Sequence, residues 1–165
     1  MLNIVRKLSA TAIMLVVLSA CATTTPGANG TVGQIQRGSV DDPASIAYFQ
    51  QTLGDRVLFA VNESTLSSDA ADILNGQANW LLQNTQYSVT VEGHADERGT
   101  REYNLALGAR RASSVRDYLV ERGVADNRVK TVTYGKQRPI AVCSAEECWS
   151  QNRRAVTVVN AGLGS

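Results

Sequence analysis

The chain has 165 residues, which suits one ordinary domain with additional terminal segments. Its 16 basic and 15 acidic side chains give a net charge of +1, which argues against a protein that holds nucleic acid by bulk electrostatic attraction. The low aromatic content agrees with this.

The first 20 residues have the features of a secretory signal. Arg6 and Lys7 precede an apolar run, Leu8 to Ala20, which ends in small residues and is too short for a comfortable membrane span. Leu18-Ser19-Ala20-Cys21 resembles the bacterial lipobox, in which the cysteine is acylated and becomes the first mature residue. The resemblance implies that Cys21 carries lipid, because only a thiol can form the thioether link. The alternative is a plain secretory signal that ends beside a cysteine.

The residues after Cys21 indicate which membrane the lipid enters and how the folded domain is attached to that membrane. Ala22 stands where Asp would favour inner-membrane retention, so the resemblance to sorted lipoproteins implies the outer membrane, with the protein facing the periplasm. Several acyl chains, palmitate among them, anchor firmly because each buried methylene contributes about 0.8 kcal/mol. Residues 22–44 are rich in Thr, Gly, Ser and Asp and predict a flexible tether. The predicted organisation is a signal peptide at 1–20, a lipidated cysteine and tether at 21–44, and one domain at 45–165.

Periodic apolar residues predict the elements of this domain. Four apolar or alternating runs predict strands, at 56–61, 87–92, 129–134 and 154–159. Residues 46–52 are a candidate to pair with the first strand as a hairpin. One amphipathic helix is predicted to begin at Ser67 to Asp69, and another covers 101–122 before Gly123, a residue suited to a left-handed cap. The order β-α-β-α-β-β implies an α/β two-layer sandwich with both helices on one face of a mixed sheet.

Residues 92–112 gather the only histidine, four arginines and several carboxylates around the loop between the second strand and the second helix. Asp96 and Arg111 can meet only if that loop folds back over the helix, which Gly99 permits, and Asn104 can satisfy loose main-chain groups. Such a pair complements a zwitterion, because the carboxylate takes an ammonium and the guanidinium takes a carboxylate. An ion pair that clamps the loop to the helix is the other reading.

The motif in this segment resembles a known family. G-H-A-D-E-R-G-T-x-E-Y-N-x-x-L-G-x-R-R-A, with Tyr134-Gly135-Lys136, Pro139 and Asn152-Arg153-Arg154-Ala155-Val156, is similar to the OmpA-like peptidoglycan-binding domain over about residues 55–160. Within it, the chain is most similar to the lipoproteins of the Tol-Pal system, with which the lipobox and tether agree. A generic OmpA-like wall anchor outside that system is the alternative.

The resemblance implies a protein without enzymatic activity or cofactor that anchors the outer membrane to peptidoglycan and supports cell division. Asp96 and Arg111 match the residues that hold the amine and the carboxylate of diaminopimelate in the stem peptide. Further positions match the pocket wall, with the last at its border: Glu97, Arg98, Gly99, Asn104, Leu107 and Arg153. The family resemblance also implies binding to TolB and other Tol proteins, through a surface that overlaps the wall-binding loops.

One position departs from the family pattern. Family members commonly read Phe-Asp at the end of the first strand, whereas this chain reads Phe59-Ala60. That Asp can contribute to the pocket, so its absence bears on affinity or on the shape of this edge. Asn62, Glu63 and Ser64 are nearby candidates to compensate.

Two other kinds of site use the same residue types. A catalytic zinc normally takes three protein ligands, and His94 beside Asp96 and Glu97 lacks a second histidine in range. A carboxylate pair among Asp96, Glu97 and Glu102 would suit a cell-wall hydrolase. The neighbouring arginines lower carboxylate pKa values, however, and a general acid needs a raised pKa.

Two surface features complete the predictions. Cys143 and Cys148 lie five residues apart before the last strand, and in an oxidising compartment a disulfide that closes this turn is expected. A redox-active pair would instead form a Cys-x-x-Cys motif on a helix. The arginines from Arg110 to Arg122 indicate a solvated helix face or a contact surface for a protein partner.

Overall fold

The structure, a computed structural model, describes residues 36–161. The predicted signal peptide, the lipobox with Cys21 and the first part of the predicted tether lie outside these residues. Residues 36–44 form turns whose carbonyls accept hydrogen bonds from the domain: Trp80 Nε1 donates to Pro43 O at 2.7 Å, and Tyr87 Oη donates to Ala44 O at 3.5 Å. Within the described part, no helix is long and apolar enough to cross a membrane.

Residues 46–54 are helical, so the predicted hairpin at 46–52 is wrong. Helix α1, Ile46–Tyr48, continues as a π-helical stretch, Phe49–Gly54. Ser45 Oγ caps the helix by accepting a hydrogen bond from Tyr48 N at 2.9 Å. Ile46, Phe49 and Leu53 recur at helical rather than alternating spacing and pack on the core, which selects a helix over a strand.

The remaining elements follow the predicted order β-α-β-α-β-β, with one additional helix. The strands are β1 (Arg56–Leu58), β2 (Tyr87–His94), β3 (Val129–Gly135) and β4 (Arg154–Ala161). The helices are α2 (Ser68–Gln83), α3 (Arg101–Glu121) and α4 (Glu146–Asn152), with a 3-10 turn at Asp126–Arg128. Gly123 has φ of +99°, in the left-handed region expected after α3. Helix α4 lies where the sequence predicted only a turn. A disulfide joins Cys143, which precedes this helix, to Cys148, which lies within it.

The four strands form one mixed sheet in the order β1-β4-β2-β3. Strand β4 runs antiparallel to both β1 and β2, and β2 runs parallel to β3. Alternate strand residues such as Val89, Val91 and Val159 are buried against α2 and α3. The predicted α/β two-layer sandwich is therefore confirmed.

Two features of this sheet determine where the site lies. Gly93 of β2 pairs with Ala155 of β4, so the loop that leaves β2 lies beside the chain that enters β4. Gly93 also lies against Gly108 of α3 so closely that a Cβ on Gly93 would be 1.8 Å from Gly108 O. The close approach of α3 brings the guanidinium of Arg111 to the end of β2.

Candidate functional site

The guanidinium of Arg111 is completely buried and is held by main-chain carbonyls. Its Nε donates to Glu63 O at 2.8 Å, and its terminal nitrogens donate to His94 O at 2.8 Å and Ala60 O at 3.0 Å. Burial and then the charge of Arg153 lower the pKa of Arg111 to about 10, so the group stays protonated at neutral pH. Within residues 36–161, no carboxylate forms an ion pair with it.

Asp96, at the exit of β2, is buried and is held by two other arginines. Its Oδ2 accepts hydrogen bonds from Arg98 Nη2 at 2.6 Å and from Arg153 Nη1 at 3.4 Å. Its Oδ1 accepts from the main-chain N of Arg98 at 3.1 Å. Burial alone would raise the pKa of Asp96, but the hydrogen bonds from Arg98 outweigh burial and lower it. Asp96 is therefore an ionised carboxylate.

Asp96 and Arg111 are neighbours without being partners. Asp96 acts on Arg111 through space, since its charge raises the pKa of the guanidinium. Each group nevertheless takes its hydrogen bonds elsewhere, so the direct Asp96–Arg111 clamp is absent from the described part of the chain. The site thus presents an anion and a cation close together, neither of which neutralises the other.

A cavity of about 280 Å³ opens beside Asp96. Its lining consists of Val61, Asn62, Asp96, Arg98, Gly99 and Tyr103. Asn62 has φ of +59°, which asparagine tolerates better than most residues, and it lies in the turn that follows β1. Asp96 lines this cavity, whereas Arg111 is fully buried and is not among the lining residues.

The loop between β2 and α3 reverses direction as predicted and is fastened on both sides. Gly99 has φ of +84°, and Asn104, which is buried on α3, donates from Nδ2 to Arg98 O at 2.7 Å. Directly after β3, Lys136 Nζ donates to Glu97 O at 3.1 Å and Gly99 O at 2.7 Å. Leu107, the remaining predicted position on α3, is buried.

Comparison with known proteins identifies the family. The model of the OmpA family matches residues 58–155. The peptidoglycan-associated lipoprotein of Brucella melitensis is 58% identical over 118 residues, which cover 72% of this chain and 70% of that protein. That of Rhizobium meliloti is 49% identical over 153 residues, which cover 93% of this chain and 86% of that protein. The chain belongs to the OmpA family, among its peptidoglycan-associated lipoproteins.

Solved OmpA-family structures have the same fold. The crystal structure of the peptidoglycan-associated lipoprotein from Burkholderia pseudomallei matches with a TM-score of 0.65 and 36% identity, over 73% of this chain and 98% of that one. The C-terminal domain of Helicobacter pylori MotB matches with a TM-score of 0.61 at 22% identity, over 66% of this chain and 86% of that one, and this likeness concerns the fold alone. The segment matched by the OmpA family model contains all the predicted pocket residues from Asp96 to Arg153.

Several contacts in this OmpA-family site were not predicted from the sequence. The guanidinium of Arg98 lies 4.2 Å from the ring centroid of Trp149, and Arg153 forms an ion pair with Glu146. Arg153 Nε also donates to Phe59 O at 3.0 Å. Trp149 and Glu146 both belong to α4. Two glutamates at its first turn were the available signal for a helix start.

His94 is a buried, neutral imidazole. Its side chain is buried, and burial, followed by the charges of Arg154 and Arg138, lowers its pKa to about 4. Its Nε2 is 3.6 Å from Glu92 Oε2, which is too long for a hydrogen bond, so the neutral imidazole forms no effective ion pair. Among residues 36–161, no group of three or more His, Cys, Asp and Glu side chains is placed to hold a metal ion.

A second cavity, of about 380 Å³, lies at the free edge of β1. It is mainly apolar, with Leu58, Ile73 and Ile140 in its lining, and it contains none of the predicted site residues. Arg56 and Asp69 also line it, but the loop that carries the family motif lies at the other cavity, through Asp96, Arg98 and Gly99, and that cavity remains the candidate site.

Proposed function

We propose that this protein is a non-enzymatic outer-membrane lipoprotein that binds the diaminopimelate of the peptidoglycan stem peptide between Asp96 and Arg111. The environment of Arg111 carries the proposal. A buried charge is costly unless it is paired, and here main-chain carbonyls take the place of a carboxylate. They use three of the five guanidinium N–H groups, and in the proposal the other two bind a ligand carboxylate in bidentate fashion. Because Arg111 is fully buried and does not line the cavity, this binding requires a local movement of the chain that exposes the two groups.

The ammonium of the same ligand would bind at Asp96. In the ligand-free protein, Arg98 supplies positive charge to this carboxylate at 2.6 Å. A ligand ammonium would bind to Asp96 beside Arg98, because an ionised carboxylate has several acceptor sites. Diaminopimelate suits the pair since its free end bears an amine and a carboxylate on one carbon. Lysine has the amine without the carboxylate and would leave Arg111 unpaired.

Binding rather than hydrolysis is supported by the charge state of Asp96. A glycosidase needs one carboxyl group that stays protonated near neutral pH. The hydrogen bonds from Arg98 lower the pKa of Asp96 instead, which suits a group that holds a cation. Similarity to peptidoglycan-associated lipoproteins also supports an anchor.

The amino-terminal segment supports a membrane attachment for this domain. In the proposal, residues 1–20 are removed, Cys21 is acylated in the outer membrane, the residues that follow it form the tether as far as the turns at 36–44, and the domain faces the periplasm. Working within the Tol-Pal system, the protein would bind TolB through a surface that overlaps the loop Glu97–Gly99. TolB and the cell wall would then compete for it during constriction of the cell.

Sedimentation with purified sacculi tests the proposal. The chain with Cys21→Ser is expected to sediment with diaminopimelate-type sacculi and to bind lysine-type sacculi at least tenfold more weakly, the consequence of one lost charge-assisted contact of roughly 1.5–3 kcal/mol. Asp96→Asn should lose most of the binding while the fold persists. Arg110→Ala, which alters the exposed arginine next to Arg111, is the matched control. Equal sedimentation of wild type and Asp96→Asn, or release of soluble muropeptides by the purified protein, would contradict the proposal.

A further inference from the structure

The segment between β3 and β4 lies beside the loop Glu97–Gly99, which is called the wall-binding loop because the proposal assigns it to peptidoglycan binding. The segment contains the disulfide between Cys143 and Cys148, whose Cα atoms are 5.6 Å apart, and continues into α4. The buried side chain of Asn152 fastens its base: Oδ1 accepts from the main-chain N of Ile140 at 2.9 Å and of Ala141 at 3.2 Å, and Nδ2 donates to Ala141 O at 2.8 Å.

Each cysteine of the disulfide is followed directly by a residue that donates a hydrogen bond to Glu97. Ser144 Oγ and Trp149 Nε1 both donate to Glu97 Oε1, each at 3.1 Å. Two donors can converge on one oxygen atom only if the two stretches of chain that carry them stay together. The disulfide supplies that restraint, because it joins the residues that precede the two donors.

Helix α4 of this segment also contacts both arginines that donate hydrogen bonds to Asp96. The ring of Trp149 lies under the guanidinium of Arg98, with 4.2 Å between Arg98 Cζ and the ring centroid. Glu146, at the first turn of α4, forms an ion pair with Arg153. Displacement of α4 would therefore change the positions of Glu97, Arg98 and Arg153 together.

We infer that the Cys143–Cys148 disulfide positions the wall-binding loop, so that reduction of this disulfide by a dithiol weakens the binding of peptidoglycan. The inference rests on the proposed function. Reduction transfers two electrons to the S–S bond, each cysteine sulfur takes up one proton, and the dithiol becomes a disulfide. Cys143 is exposed and Cys148 is half-buried, so a reductant has access to the bond.

Weaker binding follows from lost preorganisation. With the S–S bond broken, the chain around Ser144 and the start of α4 gains conformational freedom. The donors to Glu97 and the ring under Arg98 then have to be ordered when the ligand binds, and this entropic cost reduces affinity. Trp149, Ser144 and the disulfide act through Glu97 and Arg98, which makes them positioning residues rather than ligand contacts.

Binding to diaminopimelate-type sacculi in both redox states tests the inference. Every sample carries Cys21→Ser, which leaves Cys143 and Cys148 as the only cysteines. Treatment with a trialkylphosphine, which is itself oxidised to the phosphine oxide, is expected to weaken binding roughly tenfold. The double variant Cys143→Ser/Cys148→Ser should bind as weakly without reductant and show no further change with it. Equal affinities of the oxidised and reduced proteins, or an equal effect of reductant on the double variant, would overturn the inference.

Tryptophan fluorescence gives a readout that general loss of stability would not produce. The chain has two tryptophans, Trp80 in the core and Trp149 against Arg98 and Glu97. Reduction is expected to shift the emission of the folded protein through Trp149 alone. In Trp149→Phe only Trp80 remains, and reduction should leave its emission unchanged. A shift of similar size in Trp149→Phe would contradict the local effect.

Variants that keep the disulfide test the positioning role even if the double cysteine variant does not fold. Trp149→Phe retains a ring under Arg98 but removes one donor to Glu97, and Ser144→Ala removes the other. Each is expected to bind sacculi about threefold more weakly, in line with the loss of one hydrogen bond. Ser150→Ala is the matched control, because Ser150 Oγ donates only within α4, to Glu147 O. Unchanged affinity in both variants would refute the positioning role.

Asp96→Asn separates this inference from the proposed function. If Asp96→Asn abolishes binding and reduction has no effect, peptidoglycan binding at the pocket stands and the role of the disulfide fails. If Asp96→Asn binds like wild type, the pocket assignment itself fails, and the inference fails with it.

Discussion

At Arg111, main-chain carbonyls replace the carboxylate that usually accompanies a buried guanidinium. One of them is the carbonyl of Ala60, which accepts from Arg111 Nη2 at 3.0 Å. The family resemblance leads one to expect Asp at this position, where the chain has Ala60; it keeps the main-chain contact and lacks that carboxylate. Asn62 lines the cavity without a charge, whereas Glu63 contributes its main-chain carbonyl to Arg111 and is not among the lining residues.

Restoring that carboxylate should strengthen binding. Ala60→Asp is expected to raise the affinity for diaminopimelate-type sacculi by about three- to tenfold, because a second carboxylate attracts the ligand ammonium. Ala60→Asn, which has similar shape without charge, should change affinity less. Titration of a soluble stem peptide at two salt concentrations measures the effect, and the gain should shrink as salt screens the charge. Weaker binding by Ala60→Asp would mean that the new carboxylate pairs with Arg111 instead.

The lowered pKa of His94 makes the stability of the domain decrease at acidic pH. Its pKa is about 4 in the folded protein, compared with 6.5 as the ordinary value. Below pH 6.5 the unfolded chain therefore binds a proton that the folded chain does not accept until about pH 4. The free energy of unfolding should fall by about 3 kcal/mol as the pH decreases across this interval, because a protonated His94 would be buried away from water and would also face Arg154 and Arg138. The carboxylate of Glu92 and the ring of Tyr134 also face it.

Urea unfolding of His94→Leu at a series of pH values checks this. Neither imidazole nitrogen has a hydrogen-bond partner among residues 36–161, so leucine should cost little at pH 7. Between pH 6.5 and pH 4 the variant should lose less stability than wild type. Parallel pH profiles of the two proteins would show that another group titrates in this interval.

Single residues differed in how well the sequence predicted their environment. The approach of the loop to α3 followed from Gly99 and Asn104, whose side-chain properties suit a reversal and loose main-chain groups. The carbonyls around Arg111 could not be predicted, because every residue type carries a carbonyl and only the fold determines where it points. For the same reason Arg98 and Arg153 as partners of Asp96 emerged only from the structure.

At the scale of elements, the contact between β2 and α3 holds the site together. A Cβ on Gly93 would meet Gly108 O at 1.8 Å, and main chain cannot yield as a flexible side chain can. Gly93→Ala is therefore expected to destabilise the domain by several kcal/mol and to move α3 away from β2. Its separation from β2 would break the hydrogen bond between Arg111 and His94 O.

Gly76→Ala provides the control in α2. There a Cβ would meet only Leu53 Cδ2, at 3.5 Å, and alanine favours the helix over glycine by about 1 kcal/mol. Denaturant unfolding of both variants should show a large loss for Gly93→Ala and no loss for Gly76→Ala. A small effect of Gly93→Ala would mean that the two elements can separate without cost.

The length of an element decided whether the sequence revealed it. Helices α2 and α3 have 16 and 21 residues, long enough for an apolar face to recur several times. Helix α4 has 7 residues, and α1 has 3 before its π-helical continuation, so neither repeats a pattern clearly. Helix α1 and its continuation pack on the core, and α4 contacts the loop after β2 through Trp149, so tertiary contacts rather than local propensity select both.

At the scale of the whole molecule, the attachment of residues 36–44 to the domain shortens the proposed tether. Pro43 and Ala44 accept hydrogen bonds from Trp80 and Tyr87, so in the proposed organisation only residues 22–35 would span the gap between membrane and domain. Fourteen residues reach at most about 50 Å when fully extended.

Deletion of about ten residues from 23–34 should leave the affinity for isolated sacculi unchanged, because the pocket is untouched. In cells the deletion should weaken the attachment of the outer membrane to the cell wall, and the release of outer-membrane vesicles measures this attachment. Replacement of the same residues by a Gly/Ser sequence of equal length should restore wild-type release. If the deletion has no effect in cells, or if it also weakens binding to isolated sacculi, the spanning role of residues 22–35 is wrong.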